Sequence, residues 1–403
     1  MPDSTTQAAV QNDHPQDQAQ AAAPAARGGT AVFDSMVPFM SLALTPEDKA
    51  AANEVLDSGI LRQAGKCAEL EERFGSMSGA AFAHTCANGT CALQLAYEAL
   101  LERGDDVLVP SWTYIATASM LVARGCTPIF VDSLPDTYQV DIEDCKRRIT
   151  PKTAAIAVTH IYGMPLDVDA VQAFAKEHGL KVIYDTAQAH LATSKGRGMG
   201  EFGDAVTYSF YATKNLGTGE GGMITTNDEE LSKKIQLLRS HGETEKYVHD
   251  SIGFNYRMND ITAAIGCSRL DRLPAQTDRR RAIAARYIAG ISAIEGVQPP
   301  VPTEGTDPAW HLFTCQLEID SSTVDRDGFC AMLKAEGVPT AIHYPHQLTR
   351  QPAFADYSSY HPPVAEALSK RVFSLPIHHD LSDEQVDGII AAVAKVAAAT
   401  RTN

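Results

Sequence analysis

Long apolar runs and a basic surplus are both missing from this chain of 403 residues. No stretch approaches the roughly 18 uninterrupted apolar residues that a membrane-spanning helix needs. The 34 Lys and Arg residues are outnumbered by 50 Asp and Glu residues, which leaves a formal net charge of -16. Because nucleic acids and anionic membranes favour a basic surface, we expect neither of them as the main partner.

Targeting signals are also missing from the first 30 residues, where Arg27 is the one Lys or Arg and no apolar core follows it. We therefore expect no signal or transit peptide, and a cytoplasmic location. Residues 1–35 are predicted to form a disordered tail, because the early part is rich in Ala, Gln, Pro and Asp and has no apolar periodicity.

Metal-ligand patterns are absent as well. The eight cysteines are scattered, and no Cys-x-x-Cys or His-Glu-x-x-His occurs. Because no Cys and His spacing completes a zinc pattern, we expect free thiols in a reducing cytosol and no metal site.

What the chain does have is an alternation of short β-branched runs with helical patterns, from about residue 36 to residue 275. This rhythm predicts an α/β fold, a three-layer sandwich with a mostly parallel central sheet. After residue 275 a different order of elements predicts a smaller C-terminal α+β domain over residues 276–403. The predicted strands are 107–109, 128–132, 154–158, 181–185, 206–210, 223–226, 311–319 and 340–344. The predicted helices are 90–101, 116–123, 167–178, 229–240, 278–293, 326–336 and 383–399.

Lys214 lies between the apolar strand that ends near Phe210 and a turn with four glycines in Gly217–Gly222. Most lysines are simply solvated surface residues. A lysine beside a glycine-rich turn, however, can form a Schiff base with the aldehyde of pyridoxal phosphate (PLP), since glycines let the backbone approach a ligand closely. We therefore predict PLP as the cofactor and Lys214 as the residue that binds it covalently.

Asp185 ends an earlier strand, and ligands of open α/β sheets bind at that edge. A carboxylate there could cap a helix, or it could pair with the pyridinium nitrogen of PLP and make the ring an electron sink. Its combination with Lys214 favours the cofactor role. Gln188, one turn later, could bind the ring hydroxyl of the cofactor, and His190 could pack behind it.

The glycines also produce two dinucleotide-binding patterns, Gly198-x-Gly200-x-x-Gly203 and Gly217-x-Gly219-x-x-Gly222. Neither follows a strand and opens a helix, as such a motif requires. We therefore reject a nicotinamide or flavin nucleotide site at both places.

Three further features complete the predicted cofactor site. Gly89 and Thr90 stand at the start of a helix, where free N–H groups and the helix dipole favour phosphate, although Asn88 or Thr90 could serve only as an N-cap. Ser209 could add a hydroxyl to the phosphate. Trp112 follows a strand and could stack on a flat ring, with a core tryptophan as the alternative.

Several motifs between about Pro38 and Val393 together resemble the DegT/StrS-type sugar aminotransferase family, within the type I (aspartate aminotransferase) fold of PLP enzymes. The motifs are Ser58-Gly59 through Gly65 to Glu71, Asn88-Gly89-Thr90, Pro110 to Thr113, His160 to Gly163, Asp185 to His190, Ser209 to Gly222, Gly253 to Met258, and His343-Tyr344-Pro345.

The resemblance implies that Lys214 is the catalytic lysine, with Asp185 on the ring nitrogen and Gln188 on the ring hydroxyl. Gly89, Thr90 and Ser209 would bind the phosphate, and Trp112 would stack on the ring. Asn255 would reach the cofactor of a neighbouring subunit, which implies a homodimer with shared active sites. Arg257 would bind the donor carboxylate, and His343 and Tyr344 the substrate. Residues 36–275 would form the PLP-binding domain.

The resemblance further implies a ping-pong transfer of an amino group from L-glutamate, leaving 2-oxoglutarate, to a nucleotide-linked 3-keto or 4-keto sugar. A ketocyclitol, a keto sugar phosphate and an aminobenzoate-type precursor are alternative substrates. A PLP-dependent dehydratase or lyase is a second possibility, which the retained Lys214 disfavours. A PLP-binding regulator is a third, but the acidic N-terminal segment shows no DNA-binding pattern. Substrate contacts are expected on loops that include Lys246, Tyr247 and His346.

Overall fold

Seven strands form the central sheet of the computed structural model, which describes residues 23–357 and 359–402. Their order is β1-β9-β8-β5-β4-β2-β3, and only β9 runs antiparallel to its neighbours. The predicted α/β sandwich with a mostly parallel sheet is therefore confirmed. The strands are β1 (Phe82–Cys86), β2 (Asp106–Pro110), β3 (Thr127–Val131), β4 (Thr153–Thr159), β5 (Lys181–Asp185), β6 (Thr193–Ser194), β7 (Arg197–Gly198), β8 (Ala205–Ser209) and β9 (Gly222–Thr226).

Helices cover both faces of this sheet because its strands are apolar on both sides. Leu108 of β2 points into one apolar cluster while Val107 and Val109 point into the other, as the two-residue period of a strand requires. One face carries α3, α4 and α7, and the other carries α2, α6 and α8. The helices are α1 (Pro46–Ser58), α2 (Gly65–Ser78), α3 (Gly89–Leu100), α4 (Ile115–Arg124), α5 (Ile142–Arg148), α6 (Val168–His178), α7 (Glu229–Arg239), α8 (Asp260–Leu270), α9 (Leu273–Ile291), α10 (Arg326–Ala335), α11 (Pro363–Arg371) and α12 (Asp383–Thr400).

The C-terminal part has its own antiparallel sheet, ordered β12-β14-β15, against which α9, α10 and α12 form an apolar cluster. The remaining strands are β10 (Glu243–Glu245), β11 (Val248–His249), β12 (Val297–Gln298), β13 (Thr306–Asp307), β14 (Phe313–Leu317) and β15 (Val372–Leu375). The strand predicted over 340–344 is wrong: a single bridge joins Ala341 to Ser374, and the third strand of the sheet is β15.

Residues 23–35 do not match the disordered tail that the sequence predicts for 1–35. The Ala25 and Val32 N–H groups donate to the buried carboxylate of Glu336, at 2.7 and 3.0 Å. The ring of Phe33 lies against Gly388, where a Cβ would stand 2.4 Å from it. This segment is ordered because it satisfies a buried charge and covers apolar surface. Residues 1–22 of the predicted tail lie outside the described residues.

Within 23–357 and 359–402, no helix is both long enough and apolar enough to cross a bilayer.

Candidate active site

A cavity of about 540 Å³ opens at the carboxyl ends of the parallel strands, where ligands of open α/β sheets bind. It joins the ends of β4, β5 and β8, the start of α3 and the segment around Tyr344. A larger cavity of about 680 Å³ lies in the C-terminal part, but the described residues that line it include no lysine, histidine or aromatic ring. The chemistry therefore belongs to the smaller cavity.

Lys214 is half-buried in this cavity, on the turn that follows β8. The turn is held by its own backbone, with Lys214 N donating to Tyr211 O at 2.8 Å. Burial disfavours the charged amine and lowers the pKa of Lys214 to about 8, and the carboxylate of Asp185 partly opposes this shift. The neutral, nucleophilic form of the amine is thus far more populated at neutral pH than in an ordinary lysine.

Asp185 ends β5 and lies almost fully buried on the floor of the cavity. Burial raises the pKa of Asp185, while the hydroxyl of Thr117, the Ala187 N–H and the positive charge of Lys214 act in the opposite direction. Thr117 Oγ1 donates to Oδ2 at 2.7 Å and Ala187 N donates to Oδ1 at 3.1 Å. Among the described residues no Lys, Arg or His forms an ion pair with Asp185, and such a buried carboxylate suits a cationic ring nitrogen.

The start of α3 lines the same cavity and forms an anion cradle. Asn88 caps the helix by accepting from Cys91 N at 2.9 Å, so the first helical N–H groups, of Gly89 and Thr90, have no partner within the helix. A Cβ on Gly89 would stand 2.8 Å from Ser209 Cβ, and one on Gly222 would stand 2.4 Å from the Asn88 carbonyl carbon. These glycines let the turn before α3 close against β8 and β9, as a phosphate site requires.

Gln188 is held at both ends of its amide. Its Oε1 accepts from Tyr162 N at 2.7 Å, and its Nε2 donates to the hydroxyl of Tyr344 at 3.2 Å. Gly163 lets the turn at Tyr162 approach the main chain of Gln188, since a Cβ there would stand 2.6 Å from the backbone oxygen of Gln188. His343 and Tyr344, predicted as substrate residues, both line the cavity. Burial lowers the pKa of His343 to about 4, so its ring is neutral at physiological pH.

Trp112 does not lie where the sequence analysis expects it. Its ring is fully buried, its Nε1 donates to the Tyr162 hydroxyl at 2.9 Å, and it is not among the described residues that line the cavity. Two positions later, Tyr114 is 57% exposed and lines the cavity. The loop after β2 directs the Trp112 ring into the apolar cluster of the C-terminal part, and the aromatic ring available to a ligand is that of Tyr114.

Asn255 and Arg257 follow the hairpin β10–β11 and are not among the described residues that line the cavity. Asn255 is exposed and its backbone is bridged to Ser240. Lys246, Tyr247 and His346 are exposed outside the cavity as well. An exposed Asn255 is compatible with contact to a neighbouring subunit, the role that the resemblance implies for it.

His190, for which the sequence leaves a packed imidazole as an alternative, is fully buried among Phe74, Tyr208 and Phe210. Its Nε2 lies 2.9 Å from Ser209 O, which places it directly behind the anion cradle. Burial lowers the pKa of His190 to about 3, so the ring is neutral.

Sequence reasoning missed one residue of the cavity and the unusual backbone of a turn behind it. His311 lines the cavity and is almost fully buried, and its Nδ1 has no hydrogen-bond partner among the residues that the structure describes. Burial keeps the pKa of His311 well below its usual range. Tyr162 adopts a left-handed backbone with φ of 60°, which is rare outside glycine and typical of functional sites. The Gly163 that follows Tyr162 was the available sequence signal for this turn. No signal marked His311, because it precedes an ordinary strand.

No group of three or more His, Cys, Asp or Glu side chains that could hold a metal ion occurs in the described part of the chain. The cavity therefore offers a lysine, a buried carboxylate and an anion cradle. These groups match an anionic aldehyde cofactor with a basic ring nitrogen, such as PLP.

Comparison with known proteins identifies the same chemistry. The model of the DegT/DnrJ/EryC1/StrS aminotransferase family matches residues 43–394. A UDP-N-acetyl-3-dehydro-α-D-glucosamine 3-aminotransferase from Acidithiobacillus ferrooxidans is 40% identical over 354 residues, which are 87% of this chain and 94% of that protein.

Solved structures agree in fold. DesV of Streptomyces venezuelae is 37% identical and superposes with a TM-score of 0.86, covering 92% of this chain and all of that chain (100%). A putative sugar aminotransferase from Streptococcus pneumoniae, solved in its PLP form, is 29% identical with a TM-score of 0.85 and covers 91% and 100%. The chain belongs to the DegT/DnrJ/EryC1/StrS aminotransferase family and is a PLP-dependent aminotransferase.

Proposed function

We propose that the protein transfers an amino group from L-glutamate to a nucleotide-linked keto sugar. The observation that carries the proposal is one cavity that holds the half-buried amine of Lys214, the buried carboxylate of Asp185 and the cradle at the start of α3. Relatives of the chain act on keto sugars carried by UDP or dTDP. The names of all three place the amino group on carbon 3 of the sugar, so a 3-keto sugar is the first acceptor to test.

Residues of the cavity could contact the phosphate, the ring nitrogen, the ring hydroxyl and the ring face of PLP. Gly89, Thr90 and Ser209 would hold the phosphate, because free N–H groups and a hydroxyl converge at the N-terminus of α3. Asp185 would pair with the ring nitrogen, and Gln188 would bind the ring hydroxyl. Tyr114, in place of Trp112, would cover the face of the ring.

PLP, when bound, supplies an aldehyde carbon that amines attack and a ring that accepts an electron pair. Lys214 Nζ would make the covalent bond to the cofactor, and then move a proton at the α-carbon of the donor once a donor amine has displaced it. Its pKa of about 8 suits both tasks, since the amine can lose and regain a proton near neutrality. Asp185 would hold the ring nitrogen in its protonated form.

A homodimer with shared active sites and a cytoplasmic location form part of the proposal. Asn255 lies on the outside of the chain beside the hairpin β10–β11, which exposes Tyr247 at 82% and Ile252 at 91%. Both side chains are free to enter a contact with a second subunit. In the dimer, Asn255 would reach the cofactor phosphate of the partner, and Arg257 would bind the donor carboxylate.

The absorption spectrum of the purified protein tests the proposal. With PLP added, we expect a visible band that bleaches with L-glutamate and returns when a nucleotide-linked 3-keto sugar is supplied. Lys214→Ala is the control and should not form the normal band. A band that ignores glutamate would redirect the assignment to another donor or to dehydratase or lyase chemistry. The absence of any band with PLP would overturn the proposal.

A further inference from the structure

A relay of hydrogen bonds behind the cavity has a fixed direction. The indole Nε1 of Trp112 can only donate, so the Tyr162 hydroxyl must accept from it, at 2.9 Å. The carbonyl oxygen of His343 can only accept, so the same hydroxyl must donate to it. The buried Tyr162 hydroxyl therefore accepts one hydrogen bond and donates another. The reverse direction is excluded for both bonds.

The second branch of the relay sets the orientation of Gln188. The backbone N–H of Tyr162 can only donate, so the amide oxygen of Gln188 faces it and the amide NH₂ faces Tyr344. The hydroxyl of Tyr344 must then accept from Gln188. Burial raises the pKa of Tyr344, so the phenol keeps its proton at neutral pH and can donate it to an oxygen in the cavity.

The segment that carries Tyr344 depends on this relay. Among the described hydrogen bonds, the main chain of residues 342–346 makes one, in which His343 O accepts from Tyr162. The ring of Tyr344 packs edge-on against Trp112, with ring centroids 6.0 Å apart. Trp112 thus contacts the segment directly through its ring and indirectly through its N–H.

The backbone conformation of Tyr162 is energetically unfavourable, so the surrounding structure must hold it in place. Its φ of 60° is unfavourable for a side chain larger than glycine. The chain around it is clamped, because Leu312 N donates to Tyr162 O at 3.1 Å and Ala309 N donates to Gly163 O at 2.8 Å. The left-handed turn directs the Tyr162 N–H to Gln188 and its hydroxyl to His343 at the same time.

We propose that Trp112 and Tyr162 are positioning residues, which hold His343–Tyr344 and Gln188 so that the Tyr344 hydroxyl donates a hydrogen bond to an oxygen of the bound substrate. This inference rests on the proposed function for the identity of the substrate. Neither Trp112 nor Tyr162 touches the substrate, and each acts through the relay.

Three variants and one control separate positioning from general stability. Tyr162→Phe removes the central hydroxyl with little change of shape, Trp112→Phe removes the donor, and the third variant combines both. Tyr138→Phe is the matched control, because its buried hydroxyl also donates to a backbone carbonyl, Thr314 O at 2.9 Å, while its ring packs on Tyr162.

With PLP loaded, we expect kcat/KM for the keto sugar to fall about tenfold in Tyr162→Phe and Trp112→Phe, and less than twofold in Tyr138→Phe. The double variant should match the worse single variant, because both changes break the same relay. Equal losses in the control, additive losses in the double variant, or full activity of Tyr162→Phe would each overturn the inference.

A second readout needs neither cofactor nor activity. In apoprotein labelled with 3-fluorotyrosine, the ¹⁹F resonance of Tyr344, assigned with Tyr344→Phe, should be a single line in the wild type and in Tyr138→Phe. It should broaden or split in Tyr162→Phe and Trp112→Phe. An unchanged line in both variants overturns the inference even if the wild type is an aminotransferase. A wild type that ignores glutamate overturns the proposed function even if the line splits.

Discussion

The free amine of Lys214 offers the sharpest test of the site. Burial lowers the pKa of Lys214 from 10.5 to about 8. At about 1.36 kcal/mol per pKa unit, the cavity disfavours the charged amine by about 3 kcal/mol relative to water. At pH 7 this raises the neutral fraction of the amine by a factor of about 300, from roughly 0.03% to roughly 9%. The apoprotein should therefore capture PLP far faster at neutral pH than an ordinary lysine does.

The assay is stopped-flow mixing of apoprotein with excess PLP between pH 6 and pH 10, with the visible band as the signal. Each initial rate is divided by the rate for a free lysine analogue at the same pH, which removes the titration of PLP itself. The analogue stays mostly protonated over this range, so its rate rises tenfold per pH unit throughout. We expect the ratio to be constant below pH 8 and to fall above it, because only the protein amine is already neutral there.

The Asp185→Asn variant tests how the carboxylate of Asp185 affects the pKa of Lys214. Because the carboxylate of Asp185 stabilises the charged amine, its removal should move the break in the ratio to lower pH. Glu304→Gln, which changes an exposed glutamate in the loop before β13, should leave the break unchanged. A break at or above about pH 9.5 in the wild type would refute the argument, since an amine with that pKa is close to an unperturbed lysine.

Three further predictions follow from contacts in the structure. Gly222→Ala should weaken PLP binding more than tenfold in a spectral titration, because its Cβ would stand 2.4 Å from the turn before α3; Gly65→Ala, with open space around it, should not. Thr117→Val should raise the pKa of Asp185 and shift the acid limb of kcat/KM to higher pH, because it removes a donor to the carboxylate; an unmoved acid limb would contradict this. Glu336→Ala should lower the free energy of unfolding by about 3 to 5 kcal/mol in a urea titration, because it leaves the Lys395 ammonium without its buried partner; a loss below about 1 kcal/mol would contradict this.

The core strands were predictable because each is a short apolar run beside a helical pattern. The predicted runs at 107–109 and 181–185 fall within β2 and on β5. The strand β1 was not predicted, because Phe82–Cys86 includes the polar residues His84 and Thr85. Its place at the sheet edge also depends on pairing with the distant β9. Local patterns cannot show a pairing that spans most of a domain.

The candidate site, like the fold, could be predicted from the sequence only in part. Lys214 and Asp185 were found together because each stands at the carboxyl end of a strand, and parallel strands bring those ends to one edge. Trp112 and Tyr114 could not be told apart, because their directions depend on how the chain leaves β2. The positions of Arg257 and Asn255 outside the cavity likewise depend on the path of the hairpin before them.

The sequence by itself determined the strand and helix order, the sheet edge at which a ligand binds and the lysine and carboxylate that meet there. These follow from short-range periodicity and from the rule that parallel strands share one carboxyl edge. Only the tertiary structure decided which aromatic ring faces the cavity, how Tyr162 links Trp112 to His343, and that residues 23–35 lie on the C-terminal part. Each of these depends on contacts between segments far apart in the chain, whose geometry is set by packing.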